Sequence, residues 1–303
     1  MVRRKRSKKR RKRREAREWV LSLLGLGVVA GWLVYEMATA KLGWQKRRIN
    51  LLFIGKGKDG VVVSVDQIGM KVDSLDFPQD SLLKSKSKGY YQVGKLMALA
   101  EYEPRPMSFV VAKFQGFLKI PIQAYCRVRK EVELGEKVGL GWVWRCRETN
   151  LNFLDKLRLS YLLHKYSLDS KTESDWWRLG ILVGDKKEYD SLRLEEYMKD
   201  RFFDWLVAKE GLEIAVVDES GHDLGEDLAT LLENLGIHVV MVKTKDQVRP
   251  RSELRVSRRE LLKSWSVAAV KESLKVDKVA VGRVDEYRAD LVILVGRDLL
   301  SLF

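Results

Sequence analysis

Only two cysteines and three histidines occur in 303 residues. Cys126 and Cys146 are too few for a disulfide framework, and they lack the Cys-x-x-Cys spacing of metal and redox sites. One disulfide joins them if the domain is exported; two buried thiols packed as small hydrophobes are the other reading. His164, His222 and His238 are scattered without His-x-x-x-His spacing, which argues against zinc chemistry. Five prolines and 22 glycines without a Gly-x-y period exclude a collagen-like chain. No proline-rich or Gly/Ser-rich linker divides the sequence, and no internal repeat is present. A Gly-x-Ser-x-Gly elbow is absent and neither cysteine lies near a histidine in sequence, so nucleophilic hydrolase readings fall away. Gly55-Lys-Gly-Lys-Asp-Gly60 lacks the Gly-Lys-Ser/Thr of a Walker loop.

What is present is apolar material and an uneven charge. Hydrophobic residues make up 46% of the chain, ample for a packed core. The formal net charge is +15, but residues 1–18 hold twelve basic and two acidic residues and so carry +10 of it. The remaining 285 residues carry +5, a balance that does not mark a nucleic-acid-binding body. The basic tail runs into Trp19–Tyr35, 17 residues without a charge, and the stretch reaches 22 residues at Ala40 if Glu36 is interfacial. That length suffices for one bilayer crossing as a helix. Trp19, Trp32 and Tyr35 lie towards its ends, as headgroup-seeking rings do. The positive-inside bias predicts a cytoplasmic N-terminus and an extracytoplasmic remainder.

Two other readings of this region exist. Ala38-Thr39-Ala40 has the pattern of a signal-peptidase site, although the apolar run exceeds the ~7–15 residues of a signal core and favours an uncleaved anchor. The basic block also suits a nucleic-acid arm, but its junction with an apolar span favours contact with anionic lipid.

Beyond the anchor, Ile49–Ile54 and Val61–Val65 read as strands joined by an Asp59-Gly60 hairpin signal. A third strand is predicted over Met70–Leu75, and a helix over Gly89–Tyr102. Strand-like runs are predicted at Ser108–Phe114 and Gly116–Ile122, with helices over Asn152–Tyr166 and Leu192–Leu206. From Leu212 the pattern is regular. A strand at Glu213–Val217, a helix with Leu224, Leu228, Leu231, Leu232 and Leu235 on one face, and a strand at Ile237–Val242 predict a parallel βαβ unit. A helix over Arg258–Ser273 and strands near Lys278–Val281 and Asp290–Val295 follow. The fold class is α/β, with an N-terminal transmembrane helix, a mixed-sheet α/β domain and a smaller C-terminal α/β domain. The boundaries are 1–18 (tail), 19–40 (anchor), 41–210 and 211–303.

Ala289-Asp-Leu-Val-Ile-Leu-Val-Gly-Arg-Asp298 resembles the close of the C-terminal domain found in many LytR-CpsA-Psr proteins. That domain opens with a strand and an Asn-Gly turn, where this chain has Ala215-Val-Val-Asp218-Glu219. Residues 49–208 resemble a divergent form of the same family's catalytic domain. The family's Leu-Leu-hydrophobic-Gly strand is matched by Leu51-Leu-Phe-Ile-Gly55. Its Arg-x-Asp-Thr is matched by Lys58-Asp59-Gly60, and its Ile-Pro-Arg-Asp by Phe77-Pro-Gln-Asp80. Gln79 stands at an arginine position, and Arg145-Cys-Arg147 is a partial counterpart of the family's later arginine-rich stretch.

The resemblance implies a membrane-anchored protein of bacterial cell-envelope biogenesis. Its family is a phosphotransferase group moving glycopolymers from polyprenyl-pyrophosphate carriers to peptidoglycan, typically with Mg. The partners implied are the lipid bilayer, a polyprenyl-linked glycopolymer and peptidoglycan; nucleic acid is not implied. Asp59 and Asp80 are the implied catalytic and metal-binding residues. Lys56, Lys58, Arg127 and Arg145, with Arg129 nearby, are the basic candidates for holding pyrophosphate, a role that favours bidentate arginine. Read alone, Asp59 is equally the first residue of an Asp-Gly turn, and Asp80 a capping residue. The alternative function is a catalytically inactive envelope scaffold with the same folds. Gly221–Gly225 before a helix suits an anion, but Asp218, Glu219, Asp223, Glu226 and Asp227 repel one.

Overall fold

The computed structural model describes residues 27–37, 48–55, 59–85, 89–100, 102–103, 106–128, 143–199, 201–282 and 284–303. Among these the strands form a six-stranded, a four-stranded and a five-stranded sheet, a mixed α/β architecture. The six-stranded sheet is built on an antiparallel meander of β1 (Arg48–Ile54), β2 (Gly60–Asp66) and β3 (Lys71–Phe77). Strand β6 (Ala124–Val128) joins β1 in parallel, β7 (Cys146–Thr149) lies outside it, and β8 (Ser167–Lys171) flanks β3. Both faces of this sheet are covered, which is why β1 and β2 read as continuous apolar runs. Leu52, Ile54, Val62, Leu75 and Phe77 face one core, while Leu51, Phe53, Val61 and Val63 face another.

Three assignments change in the middle of the chain. The helix expected over Gly89–Tyr102 starts late: Gly89–Gln92 is strand β5, paired with β4 (Leu82–Ser85), and helix α1 spans Val93–Ala100. The aromatic pair Tyr90-Tyr91 favours a strand, and Tyr91 is buried there. The run Ser108–Phe114 is helix, not strand, within α2 (Pro106–Leu118). Pro106 suits a first helical position, and buried Met107, Val110, Val111, Phe114 and Leu118 recur with helical spacing. Local β-branching suggested a strand; the longer periodicity prevails. Helix α3 (Phe153–Lys165) matches expectation, with a reciprocal cap between Asn152 and Asp155. After α4 (Glu173–Arg178), the hairpin of β9 (Leu182–Val183) and β10 (Glu188–Tyr189) joins β4 and β5. The helix expected over Leu192–Leu206 is two, α5 (Ser191–Met198) and α6 (Trp205–Glu210), with Asp204 capping the second.

The five-stranded sheet has the order β12-β11-β15-β13-β14. Strand β11 (Glu213–Asp218), α7 (Gly225–Leu235) and β12 (His238–Thr244) form the expected unit with parallel strands. Strand β13 (Glu253–Val256) was not expected; it runs antiparallel to β15 (Leu291–Val295) and parallel to β14 (Val279–Val281). The helix expected over Arg258–Ser273 is a 3-10 turn (Arg259–Lys263) followed by α8 (Trp265–Leu274). Ser264 stops the first and caps the second, its Oγ accepting from Val267 N.

The two regions touch closely. The Glu210 carboxylate accepts from Trp265 N and Ser266 N at the start of α8. Lys119 Nζ pairs with Glu195 and, at 3.0 Å, with Asp227 of α7. At Gly116 an added Cβ would lie 2.1 Å from the Leu302 carbonyl oxygen. Backbone must then move, so Gly116→Ala is expected to lower stability by about 1–3 kcal/mol. Denaturant midpoints would measure this, and an unchanged midpoint would mean the 302–303 segment yields freely.

The expected anchor is only partly described. Residues 27–37 are helical with Val28, Val29, Trp32, Val34, Tyr35 and Met37 exposed. Among the described residues no helix is long and apolar enough to cross a membrane. Residues 1–18, 19–26 and 38–40 of the tail and span lie outside the described residues. Glu36 is buried against the protein at 8% exposure. Its Oε2 accepts from Phe153 N at 3.0 Å, and its carbonyl from Asn152 Nδ2 at 2.6 Å. A carboxylate at the N-terminus of α3 is well placed electrostatically.

Candidate functional site

The meander brings the two acidic candidates together. Ile54 pairs with Gly60 across the first hairpin, and Gly60 pairs with Phe77, so Asp59 and Pro78 leave the sheet side by side. Asp59 does close the hairpin, its carbonyl accepting from Gly55 N at 3.1 Å. Its carboxylate turns towards the next loop, where Oδ1 accepts from Gln79 N at 3.0 Å. The turn reading of Asp59 therefore holds, and the same side chain also ties the hairpin to the loop that carries Asp80. Asp80 follows directly, half exposed, with Oδ2 2.7 Å from Lys187 Nζ.

Lys187 also reaches Glu173 Oε1 at 2.7 Å, and these two carboxylates hold its ammonium above the usual lysine range. The lysine lies in the turn between β9 and β10, far along the chain from Asp80, and no local spacing announces it. Asp76 was missed as well. Burial, reinforced by Asp59 and Glu173, pushes its carboxyl up to about 7. Its Oδ1 is buried without a hydrogen-bond partner among the described residues. A charge interrupting the apolar pair Leu75 and Phe77 was the available signal. A carboxyl titrating near 7 can take up and return a proton at neutral pH.

The basic candidates are dispersed. Arg127 is in register with Ile54, on the sheet end that carries Asp59. It is two strands from β2, about 10 Å at ordinary strand spacing. Its guanidinium lies 3.8 Å from Glu148 across β6 and β7. Arg145 precedes β7 at that same end but at the sheet's edge, three strands from β2 and so about 14 Å away. Lys56, Lys58 and Arg129 lie outside the described residues.

The described cavities lie away from the acidic pair. One of about 200 Å³ involves Lys84, Tyr189, Glu195 and Asp227, and one of about 790 Å³ lies between α5 and α7. Neither is lined by Asp59 or Asp80. At the N-terminus of α7 an anion is already supplied by the chain. Asp218 Oδ2 accepts from Leu224 N and, at 2.9 Å, from Gly225 N, while its Oδ1 takes Ser220 N.

No family model matches the chain, and no curated protein matches it. Solved structures do. TagT bound to LIIa-WTA is 11% identical with a TM-score of 0.37, covering 50% of this chain and 88% of its own. A LytR-CPS2A-psr family protein, YwtF (TagT), with bound octaprenyl pyrophosphate lipid is 12% identical, TM-score 0.36, covering 50% and 87%. Bacillus subtilis TagV is 14% identical, TM-score 0.35, covering 64% and 99%. At these identities and TM-scores the function has to be argued from this chain's own residues.

Proposed function

We propose that this chain is a membrane-anchored, extracytoplasmic protein of bacterial cell-envelope biogenesis that handles a polyprenyl-pyrophosphate-linked glycopolymer. The observation that carries the reading is the bond from Gln79 N to the Asp59 carboxylate. It places the two acidic positions of the motif resemblance at one sheet end, 21 residues apart in sequence. The bond between Cys126 and Cys146 supports the location, because disulfides persist in oxidising compartments. The uncharged stretch behind the basic tail supports the anchor.

The residues fit magnesium in a limited way. The donors are oxygens, as a hard cation requires, and Asp76, whose Oδ1 has no hydrogen-bond partner among the described residues, feels the charge of Asp59. Among the described residues no group of three or more His, Cys, Asp or Glu is placed to hold a metal alone. Asp59 and Asp80 would therefore hold the ion together with pyrophosphate oxygens. Bound so, magnesium would offset the negative charge of the bridging pyrophosphate and of the polyprenyl phosphate that leaves when its P–O–P bond breaks. Lys187 fixes the Asp80 carboxylate, and Arg127 supplies positive charge along the same sheet end. The second reading, a non-catalytic binder, is favoured by Gln79, which offers neither charge nor a bidentate fork where the family has arginine.

Binding of octaprenyl pyrophosphate to the full chain in vesicles, with and without magnesium, tests both. Magnesium-dependent binding weakened at least tenfold by Asp80→Asn is expected. Absence of binding under either condition overturns the proposal. Binding without transfer to peptidoglycan selects the scaffold.

A further inference from the structure

Helix α3 has one face in the core, through Leu159, Leu162 and Leu163, and an unusual opposite face. Phe153, Leu157 and Tyr161 stand at i, i+4 and i+8 and are 42%, 53% and 58% exposed. Single exposed hydrophobics are ordinary, whereas an aligned stripe of them marks a contact surface. The stripe continues beyond the helix. The Phe153 ring lies 5.4 Å from that of Trp32 and 5.6 Å from that of Trp144, which is itself 45% exposed.

We propose that this stripe, Trp144, Phe153, Leu157 and Tyr161, rests in the headgroup region of the bilayer and lays α3 along the membrane surface. The inference rests on the anchor reading and adds where the folded part sits. Its geometric basis is the joint between the apolar helix and α3. Glu36, at the end of that helix, bonds to Phe153 N and Asn152, so the start of α3 lies where the anchor would leave the bilayer. The side chains suit that depth. Aromatic rings favour the interface, and Lys165 Nζ lies 5.4 Å above the Tyr161 ring, a cation beside an interfacial aromatic. The charge is complementary to anionic lipid as well. Arg145, next to Trp144, Arg147 and Lys165 are exposed, while the one acidic residue of α3, Asp155, is buried. A short helix with an apolar stripe and a basic margin is the pattern of an interfacial helix.

The test uses the full chain with a single labelling site, Leu157→Cys, since both native cysteines are bonded to each other. The label is an environment-sensitive fluorophore, and the vesicles contain phosphatidylcholine and phosphatidylglycerol. A blue shift, together with quenching by lipids spin-labelled near the headgroup, is expected. The same label at exposed Glu260→Cys should stay water-like. Phe153→Glu with Tyr161→Glu should abolish the shift, and omitting phosphatidylglycerol should reduce it. Flotation of the same sample reads the anchor independently. A chain that does not float overturns the anchor reading and this one with it. A floating chain whose Leu157 label remains water-like overturns only this one. A shift that follows the protein-to-lipid ratio assigns the stripe to a second copy and likewise overturns it.

Discussion

Asp76→Asn is expected to stabilise the protein strongly at pH 8.5 and hardly at all at pH 4. The carboxyl is mostly buried beside Asp59 and Glu173, and its folded-state pKa rises from 3.8 to about 7. Below pH 4 it is protonated in folded and unfolded chains alike, and its burial carries no ionic penalty. Between pH 4 and 7 only the folded chain keeps the proton, so stability falls as pH rises. Above pH 7 both states are ionised and the whole penalty is present, about 4 kcal/mol for a shift of this size. Asparagine keeps the shape and cannot ionise, so it removes the penalty only where the penalty exists. Urea denaturation of both proteins at the two pH values, without divalent cations, measures the difference. An equal effect at both would mean that Asp76 is solvated. Asp59→Asn should move the transition to lower pH, because one of the neighbouring negative charges is then gone.

Removing the Cys126–Cys146 bond is the other large effect. The cysteines are 20 residues apart in sequence with Cα atoms 5.3 Å apart, joining β6 to the edge strand β7. Closing a loop of that size in the unfolded chain accounts for about 3 kcal/mol. Cys126→Ala with Cys146→Ala, or reduction of the native protein, should lower the unfolding free energy by that amount. The loss should concentrate where β7 pairs with β6, where hydrogen exchange would rise first. Equal stability of oxidised and reduced protein would show that strand pairing alone holds β7.

Features decided between neighbours along the chain could be read before it folded. The hairpin at Asp59-Gly60, helix α3 and the βαβ unit from Glu213 to Thr244 depend on short-range periodicity and turn chemistry, and each was legible. Where two local signals competed, as in Ser108–Phe114, the β-branched residues misled and packing against the sheet decided for helix. The pairing of Cys126 with Cys146 was one of two open readings until β6 and β7 were seen adjacent. The site divides in the same way. Asp59 and Asp80 could be chosen from motif spacing, but that Asp59 reaches Gln79 follows from the register of β2 with β3. Lys187 meets Asp80 and Glu173 only through tertiary contacts, and no pattern in 303 residues encodes that encounter locally. Asp76 acquires its altered acidity from burial and from two carboxylates brought to it by other elements. Electrostatic environment is a property of three-dimensional neighbours, so it becomes readable only once the chain has folded.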